Sequence, residues 1–435
     1  MPTTGPDIAF RDARLLDPES GREARGDLLV HAGVIAALGP GLLGDDVPEG
    51  IPVIECAGAC LAPGLVDMRV QLREPGDEHK ETIASASAAA AAGGITAMAC
   101  LPNTRPVIDD VAGVEFVARR AREVKGVKVF CYGALTRGLE GTALSEMGLL
   151  AATGALAFTD GTRALADAQL MRRALAYART FGLLIVQHPE EPRLARDGAM
   201  NEGEIATRLG LPGIPPCAEV MMIERDLRLV ALTGGRYHVA HVSTGAAVDT
   251  IRRAKAAGLA VTCDTAPPYF ALNETAVGDY RTFARLSPPL RSETDREAVV
   301  AGLVDGTIDA IASDHAPHDQ DSKRVPFVQA EAGMVGLETL LCVSLELVHQ
   351  GRLSLCDLLA CLTARPAAIL GLPLGRLAPG APADLVLFDP QRPWRVDADR
   401  FRSKSKNSPF DERPVQGRVL RTVVGGRTLF ARDGD

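Results

Sequence analysis

Strand-length apolar runs alternate with helix-length amphipathic runs through the middle of the chain, from about residue 62 to residue 372. This alternation indicates a parallel sheet, because parallel strands need a crossover connection that is usually a helix. Roughly eight such units fit a (β/α)8 barrel, which typically has about 250 residues plus insertions. A doubly wound sheet is the main alternative, but no Gly-x-Gly-x-x-Gly follows an early strand. We therefore predict an α/β protein with a TIM barrel at its centre.

The two ends of the chain have a different texture from the middle. Short β-type runs separated by Gly and Pro fill residues 7 to about 60, and the same pattern returns after residue 383. We predict that residues 1–61 and 373–435 pair into one small β-sandwich beside the barrel of residues 62–372.

The composition limits the classes of partner. A hydrophobic content of 46% and a charged content of 23% are ordinary for a soluble globular protein. The net charge of −8 argues against a nucleic-acid-binding surface. Nine dispersed cysteines predict reduced thiols and a cytoplasmic location. No signal peptide and no apolar run of ~18 residues is visible, so no membrane association is expected.

One predicted strand carries polar residues at every second position. Asp67, Arg69, Gln71 and Arg73 alternate with apolar residues and therefore share one face. Four polar groups on one face, within otherwise apolar sequence, indicate the mouth of a cavity. In a metal-dependent hydrolase, positions 69 and 71 are where a His-x-His pair would bind zinc, but this chain has Arg and Gln there.

Further polar residues follow other predicted strands, and barrel active sites lie at the C-terminal ends of strands. These residues are Asn103, Asp160, His188, His241, Asp314, His315 and His318. A single histidine is more often a satisfied core or surface residue, but several at separate strand ends favour a functional site. Neutral imidazole and carboxylate are the usual ligands of a hydrolytic zinc. An Asp after the last strand is suited to move a proton between an attacking water and a leaving nitrogen.

Several longer motifs carry a family resemblance. They are Arg73-Glu74-Pro75-Gly76, Glu78-His79-Lys80-Glu81-Thr82, Pro102-Asn103-Thr104, Ala240-His241-Val242-Ser243-Thr244, Pro288-Pro289-Leu290-Arg291-Ser292, Asp314-His315-Ala316-Pro317-His318 and Ser403-Lys404-Ser405-Lys406-Asn407. With these motifs the chain resembles dihydroorotases, the pyrimidine-pathway branch of the amidohydrolase superfamily. The resemblance extends from about residue 7 to residue 430.

The resemblance implies a zinc barrel that interconverts carbamoyl-aspartate and dihydroorotate. It implies that Asp314 is the proton shuttle and also a metal ligand. The other implied metal ligands are Asp160, His188 and His241. The residues implied to hold the carboxylate of the substrate are Arg73, Asn103 and His318.

The departures from the family pattern are concentrated at the site. Arg69 and Gln71 replace the His-x-His pair, Ser287 replaces a substrate-contacting Asn, and Tyr269 replaces a His after the sixth strand. Arginine offers no acceptor atom and does not lose its proton in proteins, so it would repel a divalent ion. Beside Asp314 or Asp160, however, it would replace the missing positive charge and pair a buried carboxylate. We therefore expect Arg69 to face one of these two carboxylates.

The activation of water that zinc would supply is the main difference between the hypotheses for function. Zinc lowers the pKa of bound water from 15.7 to about 7, which is worth roughly 11 kcal/mol of nucleophile activation. The first hypothesis is a catalytically degenerate barrel without metal, which acts as a scaffold for aspartate transcarbamoylase and forms a homodimer. The second is an active dihydroorotase or related cyclic amidohydrolase with at most one zinc ion, held by Asp160, His188, His241 and Asp314. A weaker third hypothesis is a sensor that binds a small carboxylate or cyclic amide ligand without converting it.

Overall fold

The computed structural model describes residues 5–44 and 50–432, and the strands in these ranges form a terminal sheet, a central barrel and a separate pair, Met200–Asn201 with Gly213–Ile214. In chain order they are β1 (Ile8–Asp17), β2 (Arg22–His31), β3 (Val34–Gly39), β4 (Val53–Glu55), β5 (Cys60–Pro63), β6 (Leu65–Val70), β7 (Ile95–Cys100), β8 (Lys128–Cys131), β9 (Gly133–Ala134), β10 (Phe158–Thr159), β11 (Leu184–Gln187), β12 (Met200–Asn201), β13 (Gly213–Ile214), β14 (Arg236–Val239), β15 (Val261–Thr265), β16 (Ala310–Ile311), β17 (Leu385–Arg395), β18 (Pro414–Val424) and β19 (Arg427–Ala431).

The α-helices lie mainly between the barrel strands. They are α1 (Ile83–Ala92), α2 (Val111–Val124), α3 (Met147–Thr153), α4 (Ala168–Thr180), α5 (Glu204–Leu209), α6 (Cys217–Thr233), α7 (Gly245–Ala256), α8 (Pro267–Ala271), α9 (Glu293–Val304), α10 (Gln320–Lys323), α11 (Leu340–Ser344), α12 (Glu346–His349), α13 (Leu355–Leu362) and α14 (Ala364–Leu370). Five short 3-10 helices lie in the same ranges, at Arg137–Leu139, Glu274–Val277, Thr282–Ala284, Phe327–Gln329 and Ala398–Arg400.

The two ends of the chain build one β unit, as the sequence predicts. Its strand order is β19-β18-β17-β5-β1-β2-β3, with β4 paired to β1. The join between the N-terminal and C-terminal parts is the antiparallel pair β5–β17, where Leu61 lies opposite Leu387. Phe10, Leu28 and Ile35 are fully buried in the core of this unit. Its packing therefore holds the chain ends together beside the barrel.

The central strands form the predicted (β/α)8 barrel. Eight strand positions are filled in turn by β6, β7, β8 with β9, β10, β11, β14, β15 and β16, and their pairings are parallel. The barrel closes where the Gln71 amide N–H donates to the His315 carbonyl at 2.8 Å and Val70 forms a parallel bridge with His315. This closure brings the end of the first strand against the end of the last one.

Helix N-caps fix the loops that leave the strand ends. In each case the cap side chain accepts a hydrogen bond from a backbone N–H of the first turn, which would otherwise lack a partner. Helices α1, α2, α4, α7, α9 and α13 are capped in this way, by Thr82, Asp110, Asp167, Thr244, Ser292 and Ser354 respectively. Within the described ranges, no helix is long and apolar enough to cross a membrane.

Candidate active site

The C-terminal ends of the barrel strands gather the residues singled out in the sequence. Arg69 lies in β6 and is followed by Gln71 and Arg73; Asn103 follows β7 and Asp160 follows β10. His188 follows β11, His241 follows β14, and Asp314 and His318 follow β16. The barrel topology thus brings together residues that are up to about 250 positions apart.

A buried ion pair occupies the centre of this group. The Arg69 Nε donates to the Asp314 carboxylate at 2.9 Å, and Arg69 Nη2 donates to the Gly161 carbonyl at 3.2 Å. The side chain of Arg69 is only 3% exposed and that of Asp314 is 16% exposed. Burial raises the pKa of Asp314, and the Arg69 guanidinium opposes that rise. The expectation that Arg69 faces Asp314 or Asp160 is confirmed, and the partner is Asp314.

The two histidines of the site contact each other. His188 Nδ1 and His241 Nε2 are 3.0 Å apart, so one ring nitrogen donates to the other. Burial lowers the pKa of His241 well below its usual value, and the positive charge of Arg69 lowers it further. His241 is therefore a neutral imidazole that lies within the electrostatic reach of the guanidinium.

Asp160 is held by a residue that the sequence analysis did not single out. Its Oδ1 accepts the Thr136 backbone N–H at 2.8 Å, and its Oδ2 accepts the Thr136 hydroxyl at 2.7 Å. Burial raises the pKa of Asp160, and these bonds from Thr136 oppose the rise. Arg69 does not pair with this carboxylate; its second contact is the carbonyl of the neighbouring Gly161.

The three predicted substrate-binding residues separate into two groups. Asn103 Nδ2 donates to Gln71 Oε1 at 3.1 Å, so the glutamine uses its acceptor within the protein. Arg73 Nη2 lies 3.3 Å from His318 Nε2, and that nitrogen also lies 3.0 Å from the Ala332 carbonyl. Burial lowers the pKa of His318 to about 2, so the ring is neutral and donates from Nε2 to Ala332. Its buried Nδ1 is an acceptor with no hydrogen-bond partner among the described residues.

Three site residues adopt left-handed backbone conformations. The φ angles are 61° at Arg73, 40° at His241 and 49° at Asp314. Such angles are uncommon in residues other than glycine and are concentrated at functional sites, where the surrounding fold maintains them. The strand ends therefore retain backbone geometry that is typical of an active site.

Two acidic residues near the histidines were missed in the sequence. Asp264 accepts the His241 backbone N–H at 2.6 Å and lies 2.9 Å from His238 Nε2. Glu190 lies 3.5 Å from His188 Nε2, and its other oxygen is buried with no hydrogen-bond partner in the part of the chain that the structure describes. Burial favours protonation of Glu190, but the hydrogen bond and charge of His188 outweigh it and lower the pKa. The position of Glu190, two residues after His188, was the one signal available in the sequence.

A cavity of about 350 Å³ opens beside these residues. Its lining includes Asp160, His188 and Glu190, with Arg163 and Arg196 toward the surface. This volume is at the lower end of the range of small-ligand sites, which is about 300–1,000 Å³.

Comparisons with known proteins give the family. Residues 58–247 match the family described as Dihydro-orotase-like, and residues 218–430 match the Amidohydrolase family. The dihydroorotase of Citrifermentans bemidjiense is 46% identical over 423 residues, covering 97% of this chain and 99% of that protein. The dihydroorotase of Pelobacter propionicus is 47% identical over 425 residues, covering 98% and 100%. The chain belongs to the dihydroorotase family.

Solved structures of related amidohydrolases share the whole fold. The L-hydantoinase of Arthrobacter aurescens has a TM-score of 0.88 at 27% identity, covering 99% of this chain and 97% of that one. The dihydropyrimidinase of Brevibacillus agri has a TM-score of 0.83 at 22% identity, covering 98% and 95%, and supports the fold alone. The predicted combination of a TIM barrel with a terminal β-sandwich is confirmed.

Membership of the dihydroorotase family implies a metal, and the side chains here do not fit one. The Arg69 guanidinium donates a hydrogen bond to Asp314, and both oxygens of Asp160 accept hydrogen bonds from Thr136. His188 and His241 are hydrogen-bonded to each other. In the part of the chain that the structure describes, no group of three or more His, Cys, Asp or Glu side chains is arranged to hold a metal ion. The Arg69 guanidinium, a fixed cation, lies among the residues that the family resemblance implies as ligands.

The other departures from the dihydroorotase pattern are also accommodated by contacts within the protein. The Tyr269 hydroxyl is buried and donates to the Pro288 carbonyl at 2.9 Å. Ser287 Oγ lies 3.5 Å from Glu190. These substitutions direct polar atoms toward the protein instead of toward a ligand.

Proposed function

We propose that this chain is a dihydroorotase-family protein of pyrimidine biosynthesis that has lost hydrolysis, and that it acts as a cytoplasmic scaffold for aspartate transcarbamoylase. The observation that carries the loss of hydrolysis is the buried Arg69–Asp314 ion pair. In a metal-dependent hydrolase, the carboxylate at this position receives a proton from the nucleophilic water. Here the carboxylate is bonded to a permanent cation, and no described side chain replaces the ~11 kcal/mol of activation that zinc supplies.

The scaffold role rests on what the chain retains. It covers nearly the full length of its dihydroorotase relatives, so both the barrel and the terminal β unit are kept. A chain that keeps its whole fold without hydrolysing a substrate would have a function that depends on its surface. We propose the preceding pathway enzyme as the partner, because members of this family without activity assemble with it, and we propose a homodimer as the building block.

Activity and metal content of the purified chain test the loss of hydrolysis. The expected result is no dihydroorotate hydrolysis above background, with or without added zinc, and less than stoichiometric zinc by elemental analysis. The dihydroorotase of Citrifermentans bemidjiense, purified in parallel, is the matched positive control. Stoichiometric zinc and turnover comparable with that control would refute the loss of hydrolysis.

Restoration of the histidine pair tests whether Arg69 is what excludes the ion. In Arg69→His with Gln71→His, zinc is expected to bind and to raise the melting temperature, since a ligand that binds only the folded state stabilises it. The native chain is expected not to respond. A triple variant that also carries His241→Ala should lose the response, which separates zinc at this site from zinc elsewhere.

Size-exclusion chromatography with purified transcarbamoylase catalytic subunits tests the scaffold role. A complex that elutes earlier than either component, with fixed stoichiometry, is expected. If the two proteins elute separately at micromolar concentrations, the scaffold proposal fails while the loss of hydrolysis stands.

The specific observation in favour of the second candidate, an active one-metal amidohydrolase, is the identity of 46–47% to proteins named dihydroorotase. This candidate requires the Arg69 side chain to leave Asp314 and Thr136 to release Asp160. The zinc analysis above decides between the two. The third candidate, a sensor, is favoured by the unpartnered Nδ1 of His318 beside Arg73, and calorimetry with carbamoyl-aspartate and dihydroorotate tests it.

A further inference from the structure

A second cavity, of about 330 Å³, lies where the terminal β unit meets the barrel, and none of its lining residues belongs to the candidate active site. Its walls come from the end of α1, from α11 and from strands β17, β18 and β19. Five arginines line it: Arg395, Arg400, Arg402, Arg418 and Arg432. For a chain with a net charge of −8, this is a strong local excess of positive charge.

Carboxylates also line the cavity. The lining contains two, Glu338 and Asp397. Glu338 accepts the backbone N–H groups of Arg402 at 2.5 Å and Ser403 at 3.3 Å, and burial raises its pKa to about 7. Its side chain is therefore directed to the backbone and is only partly ionised near neutral pH.

Two of the guanidinium groups have no carboxylate partner. Arg395 pairs with Glu412. Within residues 5–44 and 50–432, Arg400 and Arg402 form no ion pair, although both side chains are exposed toward the cavity. They are available to a ligand without breaking an existing ion pair.

Aromatic rings contact three of the arginines in the cavity. The Arg418 guanidinium lies 4.0 Å from the centre of the Trp394 ring, and Arg402 and Arg432 lie 5.2 and 5.3 Å from the centre of the Phe430 ring. For Arg402, which forms no ion pair within the described residues, the contact with the Phe430 ring holds the guanidinium in place and leaves its charge available to a ligand. Such fixed donors lower the entropy cost of binding an anion.

We propose that this cavity binds a multiply charged phosphate anion, either an inorganic polyphosphate or the polyphosphate group of a nucleotide. Guanidinium donates two parallel hydrogen bonds to phosphate oxygens, and the two such groups without an ion pair, Arg400 and Arg402, together favour an anion with more than one negative charge. The volume suits a compact anion, since it is at the lower end of the range of small-ligand sites. This site is independent of the proposed loss of hydrolysis.

Isothermal titration of the full-length protein at constant ionic strength tests the proposal, with inorganic pyrophosphate, tripolyphosphate and a nucleoside triphosphate as probes. Saturable binding at one site per chain is expected for at least one probe. Arg400→Ala with Arg402→Ala should weaken it about tenfold or more, because charge-assisted hydrogen bonds are lost. A melting temperature unchanged without ligand would show that this variant is folded.

Arg172→Ala with Arg173→Ala is the matched control. It removes the same two charges from exposed positions of α4 that do not line the cavity, and it should change the affinity less than twofold. Tighter binding of the nucleotide than of tripolyphosphate would identify a nucleotide site, and equal binding would identify a polyphosphate site. No saturable binding of any probe, or an equal loss in the control variant, would overturn the proposal.

Discussion

Substitution of Arg69 by methionine is expected to lower the free energy of unfolding by about 3–5 kcal/mol at neutral pH, because removal of one partner leaves the other charge buried and uncompensated. Arg69 belongs to such a buried ion pair, because its side chain is 3% exposed and its Nε donates a hydrogen bond to Asp314 at 2.9 Å. Asp314→Asn should also be destabilising, since the guanidinium then loses its counter-charge. The variant with both substitutions should lie closer to the native protein than the sum of the two, because a neutral pair of similar volume often replaces a buried ion pair without loss.

The pH dependence gives a second measure of the same effect. Burial raises the pKa of Asp314, and loss of Arg69 removes the charge that opposes this rise. A carboxyl whose folded pKa is above the unfolded value of about 3.9 contributes stability that is present below that value and is lost as the pH rises through the folded pKa. The deficit of Arg69→Met should therefore be smaller near pH 4 than at pH 7.

Denaturant titrations followed by far-ultraviolet circular dichroism measure all four proteins of this cycle. The matched control is the exposed pair Arg137–Glu146, whose atoms are 3.0 Å apart and whose side chains are 63% and 68% exposed. Arg137→Met should change stability by about 1 kcal/mol or less, as exposed pairs generally do. If Arg69→Met changes stability no more than Arg137→Met does, the reasoning that Asp314 needs a buried cation is refuted.

Three further predictions concern the residues around the site. Thr136→Val should cost about 1–3 kcal/mol, because it removes the hydroxyl that donates to buried Asp160; thermal melts against Thr153→Val, whose hydroxyl is at the surface, measure it. Burial lowers the pKa of Lys323 to about 7, so the native protein should gain stability as the pH rises from about 7 to 10, whereas Lys323→Met should show no such gain; a flat native profile would contradict this. Asn407→Ala should lower the free energy of unfolding by about 2–4 kcal/mol, because the Asn407 side chain accepts the backbone N–H of His318 and donates to the Ala316 and Gly333 carbonyls. An unchanged melting temperature would contradict this.

The pairing of Arg69 with Asp314 could be predicted from the sequence because charge leaves few alternatives. An arginine within a buried strand needs an acceptor, and the candidates at the strand ends were two carboxylates. In the structure the partner is Asp314, because the closure of the barrel brings the end of the first strand against the end of the last one. The barrel itself followed from the alternation of strands and helices, which is a strong signal when repeated eight times.

The partners of Asp160 and Gln71 could not be predicted in the same way. Thr136 follows a strand of two residues, β9, and its hydroxyl reaches Asp160 through the register between neighbouring strands. Sequence periodicity does not fix that register. Asn103 belongs to a family motif, and the resemblance therefore implies that it binds the substrate carboxylate. Nothing in the sequence indicates that its side-chain amide donates to Gln71 instead.

The residues at positions 69 and 71 provide a charge and a hydrogen-bond acceptor for polar groups at the barrel mouth. A metal site that loses its first-strand ligands to small apolar residues would leave Asp314 buried and uncompensated, at a cost of several kcal/mol. Arginine supplies the missing positive charge in a fixed position, and glutamine supplies an acceptor for the amide of Asn103. Under the proposed loss of hydrolysis, the two substitutions would remove the means of activating water while they stabilise the polar groups around them.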